Sequence, residues 1–366
     1  MTTAIYDLTA KALRNPASVL TLSASELDLL IRQARAALIL PRLGSVLAEM
    51  GALEQLSPAP RAHFESTQVI ADKQNQAIRW EINRIRTALH HVAADVILLK
   101  GAAYVLADLP AARGRFFSDV DLLVPKEKLG ATEAALMLGG WISTHHDPYD
   151  QRYYRDWMHE LPPMQHLTRQ TVLDLHHTIL PETARLHPDP QKLIDAALAL
   201  PDHTYFKILA PVDMLLHSAT HLFHEGEFDK GLRDLSDLDI LLRHFTQQYP
   251  EFWPRLLARA PELELARPLF YALRYTTRIL QTPVPPDVLR AISRHSPGTL
   301  TLWLMDTLFS RAFRPHHASC DDWLTRPALL LLFIRSHWLK MPPPLLVRHL
   351  FHKAFISPKD ATTKQG

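Results

Sequence analysis

Residues 115–125, RFFSDVDLLVP, place two aspartates one residue apart inside an otherwise apolar run. Alternate side chains of a β-strand point to the same face, so Asp119 and Asp121 are predicted to share one face of a strand. Two like charges held this close cost free energy unless a cation neutralises them. Hard carboxylate oxygens suit Mg²⁺ or Mn²⁺. An edge strand whose aspartates simply face water is the alternative explanation.

Three features elsewhere in the chain favour the metal interpretation. The apolar run DVILLKG ends in Lys100 and Gly101, shortly before the aspartates. Glycine lets a backbone approach a phosphate closely, and a lysine beside it supplies a positive charge. Arg115 precedes the pair by four residues, and Asp174 lies in a second apolar run, TVLDLHHTI. Lys100, Arg115 and Asp174 could each simply face solvent. Taken together in this order along the chain, they predict a metal- and phosphate-binding site in which Asp174 is the third carboxylate.

The periodicity of apolar residues divides the chain into four parts. Residues 1–91 have a helical pattern in which Pro41 divides two helices. Residues 92–205 mix short strands with helices, residues 206–356 return to helix, and residues 357–366 are polar and expected to be disordered. In the second part, HELPPMQHL and TVLDLHHTI flank a polar joint and predict a β-hairpin. The predicted fold class is therefore α+β, with a small mixed β-sheet core between helical N- and C-terminal regions.

Composition and motifs narrow the classes of function. The 366 residues have a net charge of only +2, which gives no electrostatic case for nucleic-acid binding. A single cysteine excludes an internal disulfide, and the N-terminus lacks the pattern of a secretory signal, so a cytoplasmic protein is expected. Neither G-x-G-x-x-G nor a P-loop pattern is present. Residues 328–339, ALLLLFIRSHWL, are too short to span a bilayer and predict a buried helix, with a helix at the membrane surface as the alternative.

At the level of motifs, the chain resembles a known superfamily. An apolar strand ending in glycine, then SDVDLLV, then a distant strand with an aspartate is similar to the DNA polymerase β-type nucleotidyltransferases. More narrowly, VILLKGAAYVLADLP, RFFSDVDLLVP, HELPPMQHL and VLDLHHTIL resemble an uncharacterised bacterial nucleotidyltransferase family. The resemblance continues into LAPVDMLLHSATHLFHE and LRDLSDLDILL and covers about residues 75–245.

This resemblance implies a fold, a reaction and a set of site residues. The core would be polymerase β-like, and the reaction would be of the EC 2.7.7 type. A nucleoside monophosphate would pass from an NTP to a hydroxyl or phosphate of a small-molecule or protein acceptor, with release of pyrophosphate. Two Mg²⁺ (or Mn²⁺) ions would lie on the catalytic residues Asp119, Asp121 and Asp174. The implied nucleotide- and phosphate-binding residues are Lys100, Gly101, Arg115, His176, His217, His221 and Asp237.

Some features leave alternatives open. The turn reads Gly101-Ala102 where the wider superfamily has glycine-serine or glycine-glycine, so a serine contact to the triphosphate is absent. A catalytically degenerate nucleotide-binding or scaffold protein is therefore an alternative. A toxin-like transferase that modifies tRNA or protein is a further alternative. His217 and His221 have a spacing that can bind zinc, but a polar face lining the cleft is the preferred interpretation. The aromatic stretch 148–160, PYDQRYYRDWMHE, predicts either a stacking surface or a mobile loop packed on the core.

Overall fold

Four α-helices precede the sheet along the chain. The computed structural model describes residues 7–145, 147–201 and 203–342, together with 344 and 346. Ser23 caps the second helix in a reciprocal capping box with Glu26, and Pro41 lies in the first turn of the third, where no N–H is required. The predicted division at this proline is confirmed. The four helices are α1 (Leu8–Arg14), α2 (Ala24–Ala36), α3 (Leu40–Glu49) and α4 (Pro58–Leu89).

A seven-stranded mixed sheet follows, with strand order β3-β4-β5-β2-β1-β7-β6. Its strands are β1 (Val96–Leu98), β2 (Asp119–Leu123), β3 (Trp141–Ser143), β4 (Met164–His166), β5 (Val172–His176), β6 (Leu198–Leu200) and β7 (His203–Ile208). The helices between them are α5 (Lys100–Leu106), α6 (Leu129–Leu138), α7 (Pro148–Trp157) and α8 (Pro190–Asp195). The α+β class is as predicted, and most of the remaining chain is helical.

The central strands form the part of the sheet that positions the site. β2 pairs with β1 in the antiparallel sense and with β5 in the parallel sense. The predicted hairpin is confirmed, because β4 and β5 pair antiparallel across the joint at residues 167–171. The three residues of β1 are fully buried, as expected for a strand with neighbours on both sides.

The C-terminal part is helical, as predicted. Its helices are α9 (Pro211–His224), α10 (Gly231–Gln248), α11 (Phe252–Glu262), α12 (Ala266–Tyr275), α13 (Pro286–Ser293), α14 (Thr299–Ala312) and α15 (Thr325–Lys340). A π-helical turn at Thr276–Leu280 extends α12. No helix in the described ranges is both long and apolar enough to cross a membrane. The predicted tail at residues 357–366 lies outside the described residues.

Two local predictions were wrong. The stretch at residues 148–157 is not a loop but helix α7, whose aromatic rings pack edge to face, as between Tyr153 and Trp157. Helix α15 is not buried throughout, since Leu330, Leu331 and Ile334 are exposed. An apolar run without polar interruptions carries no periodicity to show which face is covered, so burial could not be deduced from it.

Candidate active site

The parallel pairing of β2 with β5 brings the three predicted aspartates together. The register sets Asp121 directly opposite Asp174, and Asp119 opposite Val172. Because side chains alternate along each strand, Asp119, Asp121 and Asp174 lie on one face of the sheet. The Oδ1 atom of Asp174 is buried and has no hydrogen-bond partner in the described part of the chain. A buried carboxylate oxygen without a donor is the environment that a cation would complete.

The charge of Asp121 is balanced by two neighbours. Its Oδ1 atom lies 3.2 Å from Lys100 Nζ and 3.1 Å from His176 Nε2. Burial disfavours the carboxylate, but the Lys100 ammonium and the His176 hydrogen bond prevail and hold the pKa of Asp121 well below its usual range. Burial also opposes the charged form of His176, yet Glu160 and Asp121 raise its pKa. Asp121 is therefore ionised even without a metal.

Asp174 shows the opposite behaviour. Burial, together with the negative charges of Asp121 and Glu160, raises the pKa of Asp174 to about 8. No ion pair of Asp174 occurs among the described residues, whereas Asp121 pairs with Lys100. Asp119 is half-buried and accepts a hydrogen bond of 3.0 Å from Ser118 Oγ. Without a metal, Asp174 therefore keeps its proton up to about pH 8, and a bound cation would favour its ionised form.

The predicted glycine turn forms the start of helix α5. Lys100 has a φ of 42°, a left-handed conformation that is uncommon for residues other than glycine. A Cβ atom on Gly101 would lie 2.7 Å from both Arg115 Nη1 and the Phe117 ring. Glycine is therefore required here for the packing of Arg115 against the turn. Ala102, which replaces the serine of related turns, is buried.

Arg115 lies on the acidic residues of helix α10. Its Nε atom donates to Asp237 Oδ2 at 2.8 Å, and a second arginine, Arg42 from α3, donates to Asp237 Oδ1 at 2.6 Å. All three side chains are buried. Burial opposes the charge of Asp237, but Arg115 and Arg42 lower its pKa. Both oxygens of Asp237 are thus paired with arginine, and Asp237 and Arg115 both line the cavity described below.

Helix α9 brings histidines to the same region. Burial and the nearby Lys100 charge lower the pKa of His217 to about 3 and that of His221 well below its usual range. Both imidazoles are therefore neutral at physiological pH. His217 is buried, with Nδ1 unpartnered among the described residues, whereas His221 and His224 line the cavity. His224 Nδ1 lies 3.0 Å from the Thr220 carbonyl.

The sequence analysis missed two residues of the site, His159 and Glu160. They precede strand β4, and a backbone bridge pairs Glu160 with His176. Glu160 Oε2 lies 3.2 Å from His176 Nδ1. The signal was present in the histidine-glutamate pair at residues 159–160, but these residues were interpreted as the end of an aromatic stretch and the start of a hairpin strand.

A cavity of about 350 Å³ connects these groups. Its basic side chains include Lys230, which donates to Ser118 Oγ at 3.1 Å, and Arg233, which pairs with Asp234. Ile179, Leu180 and Pro181 add an apolar wall. Polar groups converging in a cavity of this size, within the range of small-molecule sites, mark it as the candidate active site.

One family model matches the chain, over residues 23–281, and its description is an uncharacterised nucleotidyltransferase. The chain belongs to this family. The matched range contains every aspartate, lysine and histidine described above. No curated protein and no solved structure matched the chain. Membership gives a general nucleotidyl-transfer role, which implies an NTP as substrate.

Proposed function

We propose that the protein is a metal-dependent nucleotidyltransferase with a core of the DNA polymerase β type. It would transfer a nucleoside monophosphate from an NTP to a hydroxyl or phosphate of a small-molecule or protein acceptor and release pyrophosphate. The observation that carries the proposal is the register of β2 and β5, which faces Asp121 toward Asp174 with Asp119 on the same face. In a family of nucleotidyltransferases, this arrangement fits the carboxylate set that such chemistry needs.

The donor set fits a hard divalent cation. Asp119, Asp121 and Asp174 offer only carboxylate oxygens, and the buried Oδ1 of Asp174 has no donor among the described residues. These three residues would hold Mg²⁺ or Mn²⁺, and we propose two ions. The metal supplies charge neutralisation for the triphosphate and activation of the acceptor oxygen.

The chain's own groups would bind and orient the nucleotide. Lys100 Nζ lies in the cavity beside Asp121, where it can pair with a phosphate oxygen. Arg233 and Lys230 add positive charge to the same cavity. The ion pairs with Asp237 fix the Arg115 guanidinium, and Arg115 in turn fills the space beside Gly101. Catalysis would then rest on positioning and on fixed charges near the phosphates.

Asp174 is the residue best placed to accept the acceptor's proton. The pKa of about 8 belongs to the metal-free side chain, and a cation bound to Asp174 would lower it. Asp121 is a weaker candidate, because Lys100 and His176 already balance its charge. We therefore propose that Asp174 assists deprotonation of the acceptor, either by ligating a metal ion that activates the acceptor oxygen or as the general base.

The test uses Asp119 because it is half-buried, so that its replacement leaves no buried group without a partner. Asp119→Asn is expected to lose thermal stabilisation by NTP plus Mg²⁺ and to lose Mg²⁺-dependent pyrophosphate release. Asp28→Asn, on the exposed face of α2, is the matched control and should behave like the wild type. Wild-type protein that is not stabilised by any NTP with Mg²⁺ would refute the proposal.

A second outcome would identify the degenerate alternative. The assay includes small-molecule and protein fractions of a cell extract as possible acceptors. If NTP plus Mg²⁺ stabilises the protein but no pyrophosphate is released, the protein is a binding or scaffold protein. Transfer of label from an α-labelled NTP to purified tRNA would instead indicate the toxin-like reaction. The Gly101-Ala102 turn keeps the first alternative relevant, since it offers no hydroxyl to the triphosphate.

A further inference from the structure

Three donor atoms converge on one point beside the aspartates. His176 Nδ1 lies 3.2 Å from Glu160 Oε2, and His159 Nε2 lies 3.7 Å from the same oxygen. One ligand atom from each of these three residues lies within 4.8 Å of the others. Two ligands bound to one zinc ion at tetrahedral angles are about 3.3 Å apart. The spacing of the three atoms thus matches that of ligands around a single ion.

The hydrogen bonding of His176 favours a metal over a simple ion pair. His176 is buried, and its Nδ1 atom makes no hydrogen bond within the described ranges, because its alignment with Glu160 is poor. Its other ring nitrogen, Nε2, lies 3.1 Å from Asp121 Oδ1. A histidine that gives one N–H to a carboxylate and presents the other nitrogen to a metal is the usual arrangement of a histidine ligand. The Asp121 carboxylate thereby fixes the tautomer that exposes Nδ1.

The backbone holds the two ligand-bearing segments in register. The His177 N–H donates to the His159 carbonyl at 3.0 Å, and the Leu161 N–H donates to the Leu175 carbonyl at 2.9 Å. The His159 and His176 rings lie side by side, with centroids 5.2 Å apart. An isolated backbone bridge therefore joins Glu160 to His176 at the end of β5, and the bond to His177 holds His159 beside them, which is the kind of support a defined site needs.

We propose that His159, Glu160 and His176 bind one divalent transition-metal ion of the zinc class. Two imidazoles and one carboxylate suit Zn²⁺ and its neighbours, whereas Mg²⁺ prefers an all-oxygen set such as the aspartates. All three residues line the cavity, so the open coordination positions face it. This site shares no ligand with the magnesium site of the proposed function, although His176 contacts Asp121, and zinc binding here does not require nucleotidyl transfer.

The test measures zinc directly, in metal-depleted full-length protein with Mg²⁺ in excess to occupy the aspartates. The wild type should bind one Zn²⁺ per chain, and Co²⁺ in its place should give visible absorption bands. His159→Gln and Glu160→Gln should each weaken Zn²⁺ binding at least about 100-fold. His90→Gln is the matched control, because His90 is exposed at the end of α4 and does not line the cavity, and it should bind Zn²⁺ as the wild type does.

Asp119→Asn separates this proposal from the proposed function. That variant should keep its Zn²⁺ while losing stabilisation by NTP plus Mg²⁺. The zinc site would be overturned if the wild type bound no Zn²⁺, or if the His159→Gln and Glu160→Gln variants each bound Zn²⁺ as tightly as the wild type. The three residues would then form only a histidine–glutamate ion pair. Loss of Zn²⁺ in Asp119→Asn would overturn it as well, because the ion would then lie on the aspartates. Circular dichroism confirms that each variant is folded.

Discussion

The carboxyl group of Asp174 titrates differently in the folded and unfolded chain, and this predicts a pH-dependent stability. The unfolded group loses its proton near its ordinary pKa of 3.8, whereas the folded, metal-free group does so at about 8. Between these values the folded state binds more protons, so the stability of the wild type falls as pH rises. Asp174→Asn removes this loss. Without metal, the variant should match the wild type below about pH 4 and be more stable above pH 8 by several kcal/mol, because only the wild type then carries a buried charge.

Thermal unfolding in EDTA at pH 5 and pH 8.5 measures the effect, and the stability gain of the variant should grow between the two. Mg²⁺ should then stabilise the wild type more than Asp174→Asn, since only the wild type offers the third carboxylate. Asp28→Asn, which is exposed, should show no such pH dependence. Equal stability differences at both pH values would contradict the raised pKa.

Gly101 provides a second prediction at the residue scale. A Cβ atom there would displace the Arg115 guanidinium and the Phe117 ring, and both approach it to 2.7 Å. Overpacking of this kind costs about 1–3 kcal/mol. Gly101→Ala should therefore be destabilised in urea unfolding and should bind NTP plus Mg²⁺ more weakly, because Arg115 moves. Gly130→Ala in α6 is the control: nothing lies within 4 Å of the added atom, so a slight stabilisation is expected. Equal effects of the two changes would refute the packing argument.

At the scale of elements, the β4–β5 hairpin is fastened to helix α4. Arg169 in the hairpin loop donates from Nε and Nη2 to the two oxygens of Glu81, each at 2.9 Å, and Thr171 Oγ1 donates to the same carboxylate at 2.9 Å. The guanidinium also lies over the Trp141 ring, at 4.7 Å from its centroid. Glu81 is buried, so its contacts are screened little by solvent. Strand β5 of this hairpin carries Asp174.

Glu81→Gln should therefore destabilise the protein by about 3 kcal/mol, because it leaves Arg169 without its counter-charge. It should also weaken stabilisation by NTP plus Mg²⁺, since the hairpin positions Asp174. The midpoint of urea unfolding and the NTP-dependent thermal shift measure the two effects. Glu65→Gln, which breaks an exposed pair within the same helix, should change the free energy of unfolding by less than about 0.5 kcal/mol. If the Glu81→Gln protein were as stable as the Glu65→Gln protein, the contacts between Glu81 and the hairpin would contribute nothing to the free energy of unfolding.

An element could be deduced from the sequence when a pattern of neighbouring residues marked it. Strand β2, the β4–β5 hairpin and the division at Pro41 followed from alternation, a polar joint and a proline. Strands β3, β6 and β7 were missed, and β3 and β6 have only three residues each, too few for a period to show. Strands β1 and β4 are as short, but an apolar run ending in glycine and a polar joint marked them. The parallel partnership of β1 with β7 is a long-range contact that no local pattern encodes.

The same distinction applies to the candidate site. Asp119 and Asp121 were conspicuous because charges interrupt an apolar strand, and Asp174 because it repeats that feature. His159 and Glu160 were not, since they stand at a strand end where polar residues are ordinary. Asp237 was expected near the nucleotide, and it lines the candidate cavity with its carboxylate between two arginines. Pairing with Arg42, which is 195 positions away, could not be read from spacing in the sequence.

For the whole molecule, the Arg42–Asp237–Arg115 network joins three of the four parts into which the sequence divides, namely residues 1–91, 92–205 and 206–356. Arg42 comes from helix α3, Arg115 precedes strand β2, and Asp237 lies on helix α10. Arg42 also donates to the Ala111 carbonyl at 2.8 Å, beside the site. One continuous group of buried apolar residues contains members from all three parts, such as Leu30, Val120 and Leu235. The parts therefore share both a core and a buried charge cluster.

This shared interior predicts how the molecule unfolds. Asp237→Asn removes the counter-charge of two buried arginines, and breaking a buried ion pair on one side costs about 3–5 kcal/mol. Since the cluster lies between the three parts, the loss should lower the stability of the described chain as one unit. Urea unfolding should stay a single transition, with its midpoint shifted to lower urea when followed by circular dichroism and by tryptophan fluorescence. Asp28→Asn should leave the midpoint unchanged, because its partner Arg32 is exposed. Two separated transitions in Asp237→Asn would show instead that the parts unfold independently and that the cluster is the main connection between them.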